Sequence, residues 1–197
     1  MNTKQIEELV FQSLEHEKGG IKVYTTAIAC AVNAGLKEEW QKYLSQTRTH
    51  VTALEEVCTA MGIDPMQETP GRAVIRHMGE SLVEAMKLAQ RGGQPEAAEL
   101  VAAECVVLAE TKDHLDWELL GKCAEHLKGA AAETLKKAAE KVEDEEDEHL
   151  YHTKGWCREL WRKSLGLKAV LPPPEERKNV KSAIGAARAE QAAHHGR

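Results

Sequence analysis

Residues 142–156 read VEDEEDEHLYHTKGW, which sets Glu146 and His149 three apart and His152 three further on. In a helix, residues three or four apart share a face, so a carboxylate and an imidazole at this spacing can hold one cation or share one proton. Glu143, Asp144 and Asp147 read as a solvated acidic face, but His149 falls on the stripe of Val142 and Trp156, with Glu146, or alternatively Glu145, beside it. Glu17, Glu110, His50 and His114 hold comparable places among apolar neighbours elsewhere in the chain. Mixed carboxylate and imidazole donors suit iron, manganese or zinc, and the absence of a thiol at the same level disfavours copper(I) or an iron–sulfur cluster.

Such residues act together only if the elements carrying them align. Proline and glycine divide the chain into helical blocks: Thr3 to Asn33, Lys37 to Met61, a shorter amphipathic piece from Thr69 and Pro70 to Gly92 and Gly93, Pro95 to Leu127, and Gly129 to Leu165. Four long helices with a shorter one in the middle connection predict an all-α four-helix bundle with a long crossover. Residues 1–166 form this bundle, and the polar, Pro- and Ala-rich residues 167–197 read as a tail.

Inward positions of a bundle recur three and four residues apart. The first helix then presents Val10, Leu14, Glu17, Ile21, Tyr24 and Ile28, and the second Trp40, Leu44, Thr47, His50, Leu54 and Val57. The fourth presents Leu100, Val107, Glu110, His114, Trp117 and Ala124, and the last Leu135, Val142, Glu146, His149, His152 and Trp156. Every long helix carries a polar residue at mid-length, where burial is costly unless groups pair or a cation binds. The connections at Asn33–Leu36 and Gly129 bring these residues to one level. The two halves echo each other, since Glu17 precedes Tyr24 by seven residues as Glu110 precedes Trp117. Gly19 and Gly20, directly after Glu17, mark a local break, a close approach of chain or substrate, or a bulge that re-aims Glu17.

This set resembles the ferritin-like di-metal carboxylate proteins, the group of ferritins and rubrerythrins. Their pattern places a Glu on each of two helices and a Glu-x-x-His pair on each of the other two. Glu17 and Glu110 match the single acids, Glu146 with His149 matches one pair, and Tyr24 matches a ring often found two turns after the first Glu. The stretch EEWQKYLSQTRTHVTALEEVCTAMGIDP resembles the second helix of small bacterial ferritin-like proteins of unknown or stress-related role. One position departs: Thr47 stands where Glu is expected ahead of His50. Either the site is lopsided, with His114 or His152 completing the ligand set, or one metal binds well. The resemblance implies a di-iron or iron–manganese centre, with zinc as a further option, that reacts with dioxygen or peroxide as an oxidoreductase does. Its ligands would be Glu17, His50, Glu110, His114, Glu146 and His149.

Composition bounds the alternatives. A net charge of −6 provides no basic field for nucleic acid or an anionic membrane. Neither a signal peptide nor a membrane span is readable, and five widely spaced cysteines without a Cys-x-x-Cys pair suit a reducing cytoplasm. A homodimer is expected, a 24-subunit cage is not. The competing reading is a metal-free, non-enzymatic stress or interaction bundle whose polar core shares protons. A zinc-assisted hydrolase would require an open coordination position, for which nothing positive speaks.

Overall fold

Five helices make up the computed structural model, which describes residues 2–170. They are α1 (Thr3–Cys30), α2 (Ala34–Met61), α3 (Pro70–Arg91), α4 (Pro95–Ala124) and α5 (Gly129–Ser164), with no strand among the described residues. The chain is an all-α bundle, as expected; most of the anticipated tail, from residue 171 on, lies outside the described residues. No described helix is long and apolar enough to cross a membrane, and all five cysteines are free thiols.

Local signals set the boundaries. Gly62 ends α2 in the left-handed region at φ 69°, a conformation that costs other residues 1–2 kcal/mol or so. Thr69 caps α3 by accepting the Arg72 N–H at 3.1 Å, and Pro70 occupies the first turn. The first turn departs from expectation. Asn33 does not end the first helix but starts the second, its side chain accepting the N–H groups of Gly35 at 2.9 Å and Leu36 at 3.3 Å. Satisfying two orphan amides there is worth about 1 kcal/mol, so α2 begins at Ala34 and not at Lys37. Gly35 therefore lies inside a helix, with the Trp156 ring 3.6 Å from where its Cβ would be.

Side-chain pairs define the topology. Glu39 meets Trp156, Tyr43 meets His152, Gln46 meets His149 and His50 meets Glu145, so α2 and α5 run antiparallel. Glu99 near the start of α4 accepts the N–H groups of Val32 at 2.8 Å and Asn33 at 2.5 Å just past the end of α1, while Trp117 reaches Glu17. Hence α1 and α4 are antiparallel too. The short α1–α2 turn makes those helices antiparallel, which leaves α2 and α4 parallel across a diagonal of the bundle. Parallel middle helices need a long link, and α3 supplies it by running back along α1 and α4.

The crossover is fastened by charge. Arg72, only 3 % exposed, donates to Glu15 at 2.8 and 3.1 Å and to the carbonyls of Pro65 and Gln67. Burial raises the Glu15 pKa, but Arg76 and Arg72 more than reverse that and hold it below the usual value. Further along, a Cβ on Gly79 would lie 3.6 Å from Gly19 Cα. Gly19 thus marks a close approach of α3 and not a helix break.

Apolar packing forms two separate clusters. One is built around Val23, Tyr24, Leu36, Trp40, Tyr43 and Met86, the other around Val10, Leu14, Leu54, Val57, Leu120, Leu135 and Val142. Between them in sequence on every long helix lie the buried polar residues Glu17, Thr47, His50, Glu110, Asp113, Glu146 and His149. A polar layer therefore crosses the bundle at mid-height, held in register by apolar packing above and below.

Candidate metal centre

Each long helix delivers its side chain to that layer because its apolar neighbours one or two turns away bury the same face. On α1, Leu14 and Tyr24 bracket Glu17; on α5, Val142 brackets Glu146 and His149 from one side. The result is two trios of donor atoms, each within 4.8 Å of one another: Glu17, His50 and Glu146, and Glu110, Glu146 and His149. Glu146 belongs to both. His50 Nδ1 lies 3.3 Å from Glu17 Oε1 and 3.1 Å from Glu146 Oε1. His149 Nδ1 lies 3.2 Å from that same Glu146 oxygen and 3.5 Å from Glu110 Oε2. All five residues are at most 3 % exposed.

The far sides of the imidazoles are tied down. His50 Nε2 donates to Glu145 Oε2 at 2.8 Å, and His149 Nε2 donates to Gln46 Oε1 at 3.1 Å. An acceptor behind Nε2 keeps a proton there and turns Nδ1 toward the carboxylates, as carboxylate-backed ligand histidines are arranged. Trp117 Nε1 donates to Glu17 Oε1 at 2.7 Å, so α4 fixes the α1 carboxylate as well.

Six buried atoms in this cluster make no hydrogen bond outside it: Glu17 Oε2, Glu110 Oε2, both oxygens of Glu146, His50 Nδ1 and His149 Nδ1. Burying carboxylates this close together is expensive unless protons or a cation compensate them. A first-row cation holds nitrogen and oxygen donors at roughly 2.0–2.2 Å, so two donors on one ion are at most ~4.4 Å apart; the observed separations of 3.1–3.5 Å meet that limit. The buried Glu and His side chains could hold a metal ion.

Protons partly substitute for a cation in the protein alone. Burial disfavours the charged imidazole of His50, but Glu145, Glu146 and Glu17 overcome this and push its pKa up to about 12. His149 rises to about 9, with burial again outweighed by Glu146 and Glu110. Burial and then Glu146 raise Glu110 to about 7, and burial raises Glu17. Burial alone would raise Glu146 too, yet the two imidazoles hold it well below the usual carboxylate range.

Of the six expected ligands, the fold gathers Glu17, His50, Glu110, Glu146 and His149, and leaves out His114. That ring is half-buried and bonds Asp147 Oδ1 at 2.7 Å. The inward position on that turn of α4 belongs instead to Asp113, which is 5 % exposed and whose Oδ1 has no hydrogen-bond partner. Burial and then the charges of Glu17, Glu146 and Glu110 push its pKa well above the usual value. Asp113 lies outside both trios and next to them electrostatically. The Glu110-x-x-Asp113 spacing is the signal that would have revealed it.

Thr47 contributes no donor to the layer. Its Oγ1 donates to the Tyr43 carbonyl at 2.9 Å, and a Cβ on Gly20 would lie 3.3 Å from its methyl. His152 sits one level away, within 3.1 Å of the Tyr43 hydroxyl, and so does not complete the ligand set. Comparison with family models, curated proteins and solved structures finds no match to this chain.

Proposed function

We propose that this chain is a ferritin-like metal protein whose bundle core holds two divalent first-row ions, iron or iron with manganese, and brings them into contact with dioxygen or peroxide. The observation that carries this reading is the convergence of buried carboxylate oxygens and imidazole nitrogens, on five residues from all four long helices, into two trios. Glu17 and His50 would hold one ion, Glu110 and His149 the other, and Glu146 would lie between them. The ions would supply the electrons for reduction of the oxidant. The chain's own residues do the rest: Glu145 and Gln46 orient the imidazoles, Trp117 orients Glu17, and the two apolar clusters close the layer above and below.

The decisive experiment loads the protein with iron(II) without oxygen, counts the metal, and then admits oxygen. Two ions per chain and a ferric absorption band are expected. Less than one ion per chain ends the reading.

A second reading has its own support: with both imidazoles protonated, the short His50 and His149 contacts to Glu146 already balance much of the buried charge. In this version the layer is a proton-sharing network in a metal-free homodimeric bundle. Metal should then leave the melting temperature unchanged. Under the first reading, metal at a hundred times its Kd adds about 2.7 kcal/mol, a rise of about 5–10 °C for a chain of this size.

A further inference from the structure

The polar layer is not walled equally on all sides. Between α4 and α5 lies a pocket of about 320 Å³ whose lining includes Glu146 and Trp117. Both are almost fully buried, at 1 % and 2 % exposure, and they form its inner end. His114 and Asp147 are half-buried and stand midway, while Glu118, Glu143 and Lys122 are exposed at the mouth. The pocket thus runs from solvent inward to the buried side chain of Glu146, the residue shared by both trios, whose carboxylate oxygens are themselves closed to solvent.

We infer that this pocket is the passage through which a hydrated divalent cation enters the centre, with the His114–Asp147 pair as its resting point on the way. The inference rests on the metal-binding reading given above. Size allows it, since a liquid water occupies about 30 Å³ and the pocket has room for roughly ten, enough for an ion with its first hydration shell. Charge favours it. Glu118, Glu143, Asp147 and Glu146 outnumber Lys122, whose ammonium is engaged by Glu125 at 3.3 Å. A cleft lined by one sign of charge raises the local concentration of the opposite ion and repels anions. Donor chemistry fits too, because His114 and Asp147 offer an imidazole and a carboxylate 2.7 Å apart. A cation leaving that pair meets Glu146 next. The Trp117 ring, tied to Glu17, stands at the same inner end, so passage and centre share a wall.

The test is stopped-flow loading of the metal-free full chain with cobalt(II), followed by its visible absorption, at low and high ionic strength. The wild type should load more slowly as salt rises. The double variant Asp147→Asn with Glu143→Gln should load at least tenfold more slowly at low salt, lose most of the salt dependence, and still reach the wild-type cobalt count. Glu56→Gln, an exposed acid on α2, should load like the wild type. A salt-independent wild-type rate, or unchanged loading by the double variant, overturns the passage and leaves the centre standing. A lower final cobalt count in the double variant also overturns it, because those acids would then belong to the centre itself. No cobalt uptake by the wild type overturns both.

Discussion

Trp117 Nε1 donates to Glu17 Oε1 at 2.7 Å, joining α4 to α1 across one edge of the polar layer. This bond spends one oxygen of a fully buried carboxylate on orientation, while Oε2 has no hydrogen-bond partner. Trp117→Phe keeps most of the ring and removes the donor. It should weaken binding of the ion proposed at Glu17 and His50 by about 10–100-fold and cost about 1–3 kcal/mol of stability. Cobalt titration and thermal melting read the two effects. An unchanged affinity would show that Glu17 needs no such anchor.

Glu146 is the only residue common to both donor trios. Glu146→Gln should therefore abolish uptake of both ions, whereas Glu17→Gln or Glu110→Gln should each remove one. Elemental analysis after gel filtration counts the ions. Equal losses in all three variants would mean that the two trios are a single site.

The apparent charge of the layer predicts how the metal-free protein responds to pH. His149 keeps its proton to about pH 9 in the folded chain against 6.5 ordinarily, so in that window the native state binds more protons than the unfolded one. Stability supplied by this group is complete below 6.5 and is lost as the pH rises through 9. Glu110, raised from 4.5 to about 7, acts in the same direction over its own window. The melting temperature of the metal-free protein should fall between pH 7 and 9. Saturating metal should remove that slope, since bound imidazoles are neutral, and uptake at pH 7 should release about two protons per chain. A pH indicator in weak buffer counts them; no release would contradict ligation by His50 and His149.

Arg72 fastens the crossover helix through Glu15 and two backbone carbonyls while almost fully buried. Arg72→Ala leaves Glu15 paired with Arg76 and the carbonyls of Pro65 and Gln67 without their donor, and should cost about 1–3 kcal/mol. Denaturant melts measure it. Because α3 supports α1 near Glu17 and does not contribute to the layer, metal count at saturation should stay at the wild-type value.

How much of this was legible beforehand differs by residue. Glu17, His50, Glu110 and His149 stand out because each is the polar exception on an otherwise apolar stripe, and a polar residue that survives on such a stripe has a partner. The choice between Glu145 and Glu146 stays open on periodicity alone, whereas the stripe puts His114 inward where the structure places Asp113. Inward positions alternate between three- and four-residue steps, and after Glu110 the helix takes the step of three. The structure makes Glu146 a shared donor and Glu145 the acceptor behind His50, so adjacent acids perform different tasks. Gln46 carried no signal at all; its role exists only because α5 places His149 opposite it.

The helices, their order, the need for a crossover and the presence of a buried polar level all follow from the sequence, because hydrophobic period, proline and glycine act through neighbours close along the chain. What the tertiary structure alone decided is which atoms meet: that Glu146 faces two imidazoles, that His114 turns outward to Asp147, and that α3 touches α1 at Gly19. Those outcomes depend on the rotation of each helix about its own axis, which is set by packing against the others and is written in no single segment.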